Sequence, residues 1–279
     1  MVIPENKRQN EPNKASERMP VLFIGHGSPM NAIEDNPWSR EWGEWGKKLP
    51  APRAILCISA HWETHGSGVT AMEQPRTIHD FGGFPPELYA VQYPAPGSPW
   101  LASRVQSIVH HARVEPDQGW GLDHGCWSVL HVMYPQANIP VVQLSLNHDA
   151  PAQYHYDLAK ELAPLREEGV LILASGNMVH NLRRVVFRNG TVEDFNVPYG
   201  LDWAIEANDL FKKLILENQH QALIDYRKLG NAVQMAIPTP EHYLPMLYSL
   251  ALKGENESVT FFNDVALAGS LTMTSMIIQ

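Results

Sequence analysis

Cysteine is nearly absent from this chain, with two among 279 residues. Cys57 and Cys126 cannot make a disulfide framework, and both read as reduced thiols of a cytoplasmic protein. Long apolar runs are missing too. None approaches the roughly 20 residues of a bilayer-spanning helix, so the expectation is a soluble chain without a membrane partner. The first 18 residues, MVIPENKRQNEPNKASER, hold no apolar stretch of signal-peptide length; they read as a polar, mobile arm ahead of one domain at 19–279. Positive charge is also short. Thirty acidic against 21 basic side chains leave a net charge of -9, which opposes a phosphate backbone and excludes general nucleic-acid binding. Neither GxGxxG nor GxxxxGK[ST] occurs, and no nucleophile elbow is present.

What the chain does have is a set of short runs rich in Val, Ile and Leu, at 21–24, 54–60, 139–146 and 170–174. They lack polar alternation, as strands buried on both faces do. Helical patterns lie between and after them. One runs over 98–111 with Pro99 at its first position; others cover 151–168 up to Gly169, 199–218 and 241–252. Late strands are expected at 259–262 and 271–278. Strands alternating with helices predict an α/β fold, a single domain with a mixed, mainly parallel sheet and helices on both faces. The proline- and glycine-rich stretch 66–97 has little periodicity and reads as a functional loop at the mouth of a site.

The chain also has 13 histidines, and their placement carries chemistry. Ligands of open α/β sheets bind outside the carboxyl ends of the strands. The run VLFIG delivers His26 there, AILCISA delivers His61, and VLILAS leads through Gly176 and Asn177 to His180. A single such histidine reads best as a core or capping residue. Three together favour a metal or acid/base site. His124, in Gly-Leu-Asp-His-Gly-Cys-Trp, and His242, between prolines in Pro-Thr-Pro-Glu-His-Tyr-Leu-Pro, are further candidates. His61 and His65 do not make a zinc-protease helix, since HWETH lacks the required Glu and glycines follow. His110 and His111 suit a helix C-terminus. His131, His148, His155 and His220 have no convergent partners in sequence.

Seven blocks carry a family likeness: GHGSPMNAIEDN (25–36), SAHWETHG (59–66), TIHDFGGFPPELY (77–89), YPAPGSP (93–99), GLDHGCWSVL (121–130), ASGNMVHNL (174–182) and TPEHYLP (239–245). In this order they resemble the class III extradiol ring-cleavage dioxygenases, and among them the 4,5-DOPA dioxygenase extradiol group. The resemblance covers the chain from about residue 19 onward. It implies an enzyme that opens a catechol such as DOPA with O2, at one mononuclear metal held by His26, His61 and His242. It further implies that His180 stands beside the metal as an acid/base residue or a fourth ligand, and that His124 faces the substrate. His79, Asn177 and Tyr243 are weaker substrate-binding candidates. Phe81, Phe84 and Trp127 read either as walls for the ring or as plain core.

Three protein ligands leave three positions of an octahedron open for substrates. Three neutral imidazoles make the site one charge more positive than the two-histidine, one-carboxylate arrangement of other class III enzymes, which favours a catecholate. Glu241 keeps the carboxylate alternative in play. Iron(II) is the metal expected for activity, and zinc suits imidazole equally well. The alternatives are a zinc-dependent hydrolase or lyase on the same histidines, and a metal-binding protein without turnover. The sequence assigns no oligomeric state.

Overall fold

The computed structural model describes residues 18–279, so the expected N-terminal arm lies outside the described residues except for Arg18. That arginine pairs with Glu167 and Glu257. The strands are β1 (Val21–Gly25), β2 (Ala54–Thr64), β3 (Ser67–Thr70), β4 (Val114–Asp117), β5 (Val141–Asn147), β6 (Val170–Gly176), β7 (Val259–Phe262), β8 (Ala266–Leu267), β9 (Leu271–Thr272) and β10 (Ser275–Ile278). Eight of them form one sheet in the order β4-β3-β5-β2-β6-β1-β10-β7, and β8 pairs with β9. The central four, β5, β2, β6 and β1, are mutually parallel. Antiparallel pairing begins outward of them, where β3 joins β5 and β10 joins β1. The sheet is mixed and mainly parallel in its centre, as the apolar runs require.

Alternate residues of these strands feed two separate cores. Val21, Phe23, Leu56, Ile58, Ile172 and Ala174 face one side, while Leu22, Ile24, Ile55, Cys57, Leu171 and Leu173 face the other. Helices cover both sides, so no central strand has a wet face. The helices are α1 (Pro37–Lys48), α2 (Pro86–Tyr89), α3 (Pro99–Ile108), α4 (His124–Met133), α5 (Ala152–Glu161), α6 (Pro164–Glu167), α7 (Asp202–Leu216), α8 (His220–Ile224), α9 (Asn231–Ala236) and α10 (Leu244–Ala251). Their starts follow local chemistry. Asn36 and Ser39 form a reciprocal capping box ahead of Pro37, and Asp123 caps α4 by accepting from the Cys126 amide.

The structure departs from several of the sequence expectations. The expected loop 66–97 opens with β3, a strand of four residues too short to show periodicity, and holds the single turn α2. The helix expected over 151–168 is two, because Pro164 cannot continue the first and starts the second. The late strand at 271–278 is broken at 273–274 into β9 and β10. Among the described residues no helix is long and apolar enough to cross a membrane.

Candidate active site

The site lies where β1, β2 and β6 end. Gly25 and Gly176 are in register, so His26 and Asn177 leave the sheet side by side, and the His26 amide donates to the Gly176 carbonyl at 3.1 Å. His61 arises differently. Between Ile58 and Glu63 the β2 register shifts against β5, and His61 sits in that irregularity, which turns its ring away from the ladder. His124 is the first residue of α4. His242 comes on the segment before α10, docked by the Asn177 amide, which donates to the His242 carbonyl at 2.8 Å.

Five histidines thereby meet around one space. The ring centroids of His26, His61 and His242 are 5.0, 5.4 and 5.0 Å apart for the 26–61, 26–242 and 61–242 pairs. An ion about 2.1 Å from each Nε2 would lie about 3.2 Å from each centroid, and separations of this size correspond to ligand angles of about 100–115°. The other two are too close to a neighbour for that. His61 and His124 are 3.9 Å apart, and His180 is stacked on His242 at 3.5 Å with an interplanar angle of 6°. By atom proximity alone the potential ligands split into His26, His61 and His124 on one side and His180, Glu241 and His242 on the other. Ring spacing is the more demanding criterion, and it admits His26 with one ring from each close pair.

Hydrogen bonds set which nitrogen faces inward. The Ser175 hydroxyl donates to the Gly125 carbonyl at 2.6 Å and so accepts from His26 Nδ1 at 3.0 Å, leaving His26 Nε2 with its lone pair. That atom is 3.1 Å from His61 Nε2. Two ligands about 2.1 Å from one cation and near 90° apart are separated by about this distance. His242 Nδ1 donates to Glu241 at 3.0 Å, and His124 Nδ1 donates to Asp80 at 2.9 Å. Each ring nitrogen held by an oxygen outside leaves the other available inside, as metal-binding imidazoles require. The donor set therefore fits a divalent metal with affinity for imidazole.

Electrostatics agree. Burial, with the neighbouring histidines adding to it, holds His26 and His61 well below the usual imidazole pKa, so both are neutral. His180 is pushed down to about 2 by burial and then by His242. Glu241 is partly buried, which opposes ionisation, yet the bond from His242 brings it down to about 2. Asp80 is likewise held ionised against its burial by the His124 ring and amide. The site expected to be one charge more positive therefore has two carboxylates directly behind its rings.

A cavity of roughly 310 Å³ opens over the five histidines, with Phe81 and Phe84 on one wall and Leu182 and Leu271 among the others. Several expected residues lie elsewhere. Tyr243 does not line this cavity: its hydroxyl donates to the Leu223 carbonyl and its ring packs with Phe211 and Tyr226 in the core. Asn177 braces Thr272 through its side chain and His242 through its backbone. His79 bonds the Val91 carbonyl and meets Phe81 edge-on and Tyr89 and Trp127 at tilted angles. Trp127 donates to the Ile78 carbonyl and supports the wall from behind. The sequence reading missed Asp80, the neighbour of His79, and Ser175. It also missed the buried network beneath His61, in which Asp123 accepts from Ser59 and Gln143 at 2.7 Å each.

The family described as the catalytic LigB subunit of aromatic ring-opening dioxygenase matches residues 20–265. The chain belongs to this family. It is 46% identical over 266 residues to a 4,5-DOPA dioxygenase extradiol of Escherichia coli K12, covering 94% of this chain and 95% of that protein. A 4,5-DOPA dioxygenase extradiol of Beta vulgaris is 38% identical, covering 88% of this chain and 90% of the relative. Among solved structures, an uncharacterised protein of Escherichia coli K12 superposes with a TM-score of 0.80 at 41% identity, covering 94% of this chain and all of that one. Membership makes this chain a metal-dependent aromatic ring-opening dioxygenase, an oxidoreductase, and accounts for a histidine cluster where the sheet ends.

Proposed function

We propose that this dioxygenase opens catechols such as DOPA at the 4,5 bond with O2, using iron(II) held by His26, His61 and His242. The observation that carries the reading is the trio of rings spaced at 5.0 to 5.4 Å beneath an aromatic-walled cavity. The names of the relatives point to DOPA. When bound, iron(II) supplies a redox centre that brings catechol and O2 together.

The protein's own groups do the rest. Phe81 and Phe84 offer faces and edges to a planar ring and keep water from it. His124, with its Nδ1 committed to ionised Asp80, presents Nε2 as an acceptor for a catechol hydroxyl. His180 is held neutral by burial and takes a proton when a catecholate arrives, since an anion close by favours the charged imidazole. Stacking on His242 fixes the plane in which it acts. Ser175, Asp80 and Glu241 hold the rings so that no reorientation is needed on metal binding. Two buried free cysteines suit a reducing compartment, and the protein is read as cytoplasmic.

The test is to restore iron(II) under reducing conditions, add DOPA, and follow O2 uptake together with the yellow ring-opened semialdehyde. Matched consumption and product support the reading. Zinc retained in the site with no O2 uptake after iron loading would favour a hydrolase or lyase instead.

A further inference from the structure

The crevice does not stop at the histidines. A second compartment of roughly 490 Å³ shares Ser28, Gly82, Phe84 and Phe195 with the first. A ring seated over the histidines would send its substituent past Phe84 and Phe195 into this space. Among the described residues that line it, Glu34 is the single charged group, and no lysine or arginine lines either compartment.

Glu34 is held in register with the metal site by a chain of amides. Asn31 donates to the His26 carbonyl at 3.0 Å and accepts from Asn36 at 2.7 Å. Asn36 also donates to Asn196 at 3.3 Å, and Asn196 donates to Glu34 Oε2 at 3.0 Å. Ser39 closes the turn by donating to the Glu34 carbonyl. Glu34 Oε1 has no hydrogen bond among the described residues. The cation nearest in sequence, Arg40, is paired with Asp35. A half-buried carboxylate with one free oxygen, on a wall whose other residues, Phe, Met, Pro, Gly, Ser28 and Asn196, carry no charge, is complementary to a small cation with N–H donors.

Resting on the ring-opening reading, we infer that Glu34 is a specificity residue that receives an ammonium group on the substituent of the catechol. The preferred substrates are then aminoalkyl catechols, with or without an added carboxylate, and catechols whose side chain ends in a carboxylate alone are disfavoured. A charge-assisted bond in a partly open compartment is expected to change the ratio about tenfold.

The experiment uses iron-loaded enzyme with dopamine, with 3-(3,4-dihydroxyphenyl)propionate and with neutral 4-methylcatechol. Dissociation constants are measured anaerobically and kcat/KM in air, each expressed relative to 4-methylcatechol. The parent should favour dopamine over the propionate about tenfold in both. Glu34→Gln should bring the ratio close to one, and Glu34→Lys should invert it. A parent without preference, or a preference that survives both substitutions, overturns the assignment of Glu34 while leaving ring opening intact. If neither DOPA nor any of the three catechols is opened by the iron-loaded enzyme, the ring-cleavage reading has failed and this inference falls with it.

Discussion

A Cβ atom placed on Gly176 would stand 2.2 Å from the carbonyl oxygen of His242. The end of β6 and the segment before α10 thus approach more closely than any side chain permits, and the Asn177 amide seals the contact with a hydrogen bond of 2.8 Å. Gly176→Ala must push the His242 backbone outward. Overpacking of this kind costs about 1–3 kcal/mol, and because the displaced residue is a proposed ligand, bound metal should fall with the melting temperature. Gly82→Ala, where no heavy atom lies within 4 Å, is the matched control. Metal analysis and thermal unfolding of both variants decide the matter, and full metal content in Gly176→Ala would refute it.

Asp80 serves two histidines at once. One oxygen accepts from the His124 amide and the other from the His124 ring, each at 2.9 Å, and the latter oxygen is 3.5 Å from His61 Nδ1. Asp80→Asn keeps the size and one acceptor but turns an NH2 group toward one of the two donors. Loss of such a support typically costs 10- to 100-fold in activity or metal affinity. The expected outcome is a drop of this size in kcat/KM for DOPA, with a smaller change in metal content. A parent-like kcat/KM would remove Asp80 from the site.

The contrast between Asp80 and His79 shows where sequence reading stops. Strand-end histidines such as His26 and His61 are visible because a Val- and Ile-rich run points at them. His79 and Asp80 lie in an irregular loop, where adjacent side chains diverge and no period says which turns inward. The reading offers His79 as a weaker substrate-binding candidate, and the carboxylate beside it is the one that reaches the site through His124. Tyr243 follows His242 on a turn, and its path into the core is set by Phe211 and Tyr226, which are distant in sequence. The central strands β1, β2, β5 and β6 were legible from their composition. The short outer strands β3, SGVT, and β4, VEPD, were not, since their pairing depends on a neighbour and not on their own residues.

Buried His155 should make stability fall in mild acid. Its Nδ1 meets the Tyr248 hydroxyl at 3.0 Å, and burial lowers its pKa to about 4. The unfolded chain binds a proton near pH 6.5, which the folded chain refuses until about pH 4. Stability is therefore full above the upper value and declines as the pH drops through this window, by about 3 kcal/mol in all. Urea unfolding at pH 7 and pH 4.5 should show the loss, and His155→Gln, which keeps a polar partner for Tyr248, should lessen it. An equal loss in the variant would assign the acid sensitivity to other groups.

His180 separates metal binding from proton handling. Its ring lies flat on His242 at 3.5 Å, a spacing that suits a stacked neighbour better than a second ligand of the same ion. In the proposed ligand set His26, His61 and His242 supply three rings, and a fourth would leave two positions of an octahedron, too few for both catechol oxygens and O2. His180→Gln should retain near-parent iron while ring opening slows by the roughly 10²- to 10⁴-fold typical of a lost acid/base group. His26→Ala should lose metal and rate together, and the two variants side by side calibrate each other. Iron content and single-turnover rates with DOPA are the measurements. Loss of iron from His180→Gln would move this residue among the ligands, and the reduced room around the ion would then count against dioxygenase chemistry and in favour of zinc.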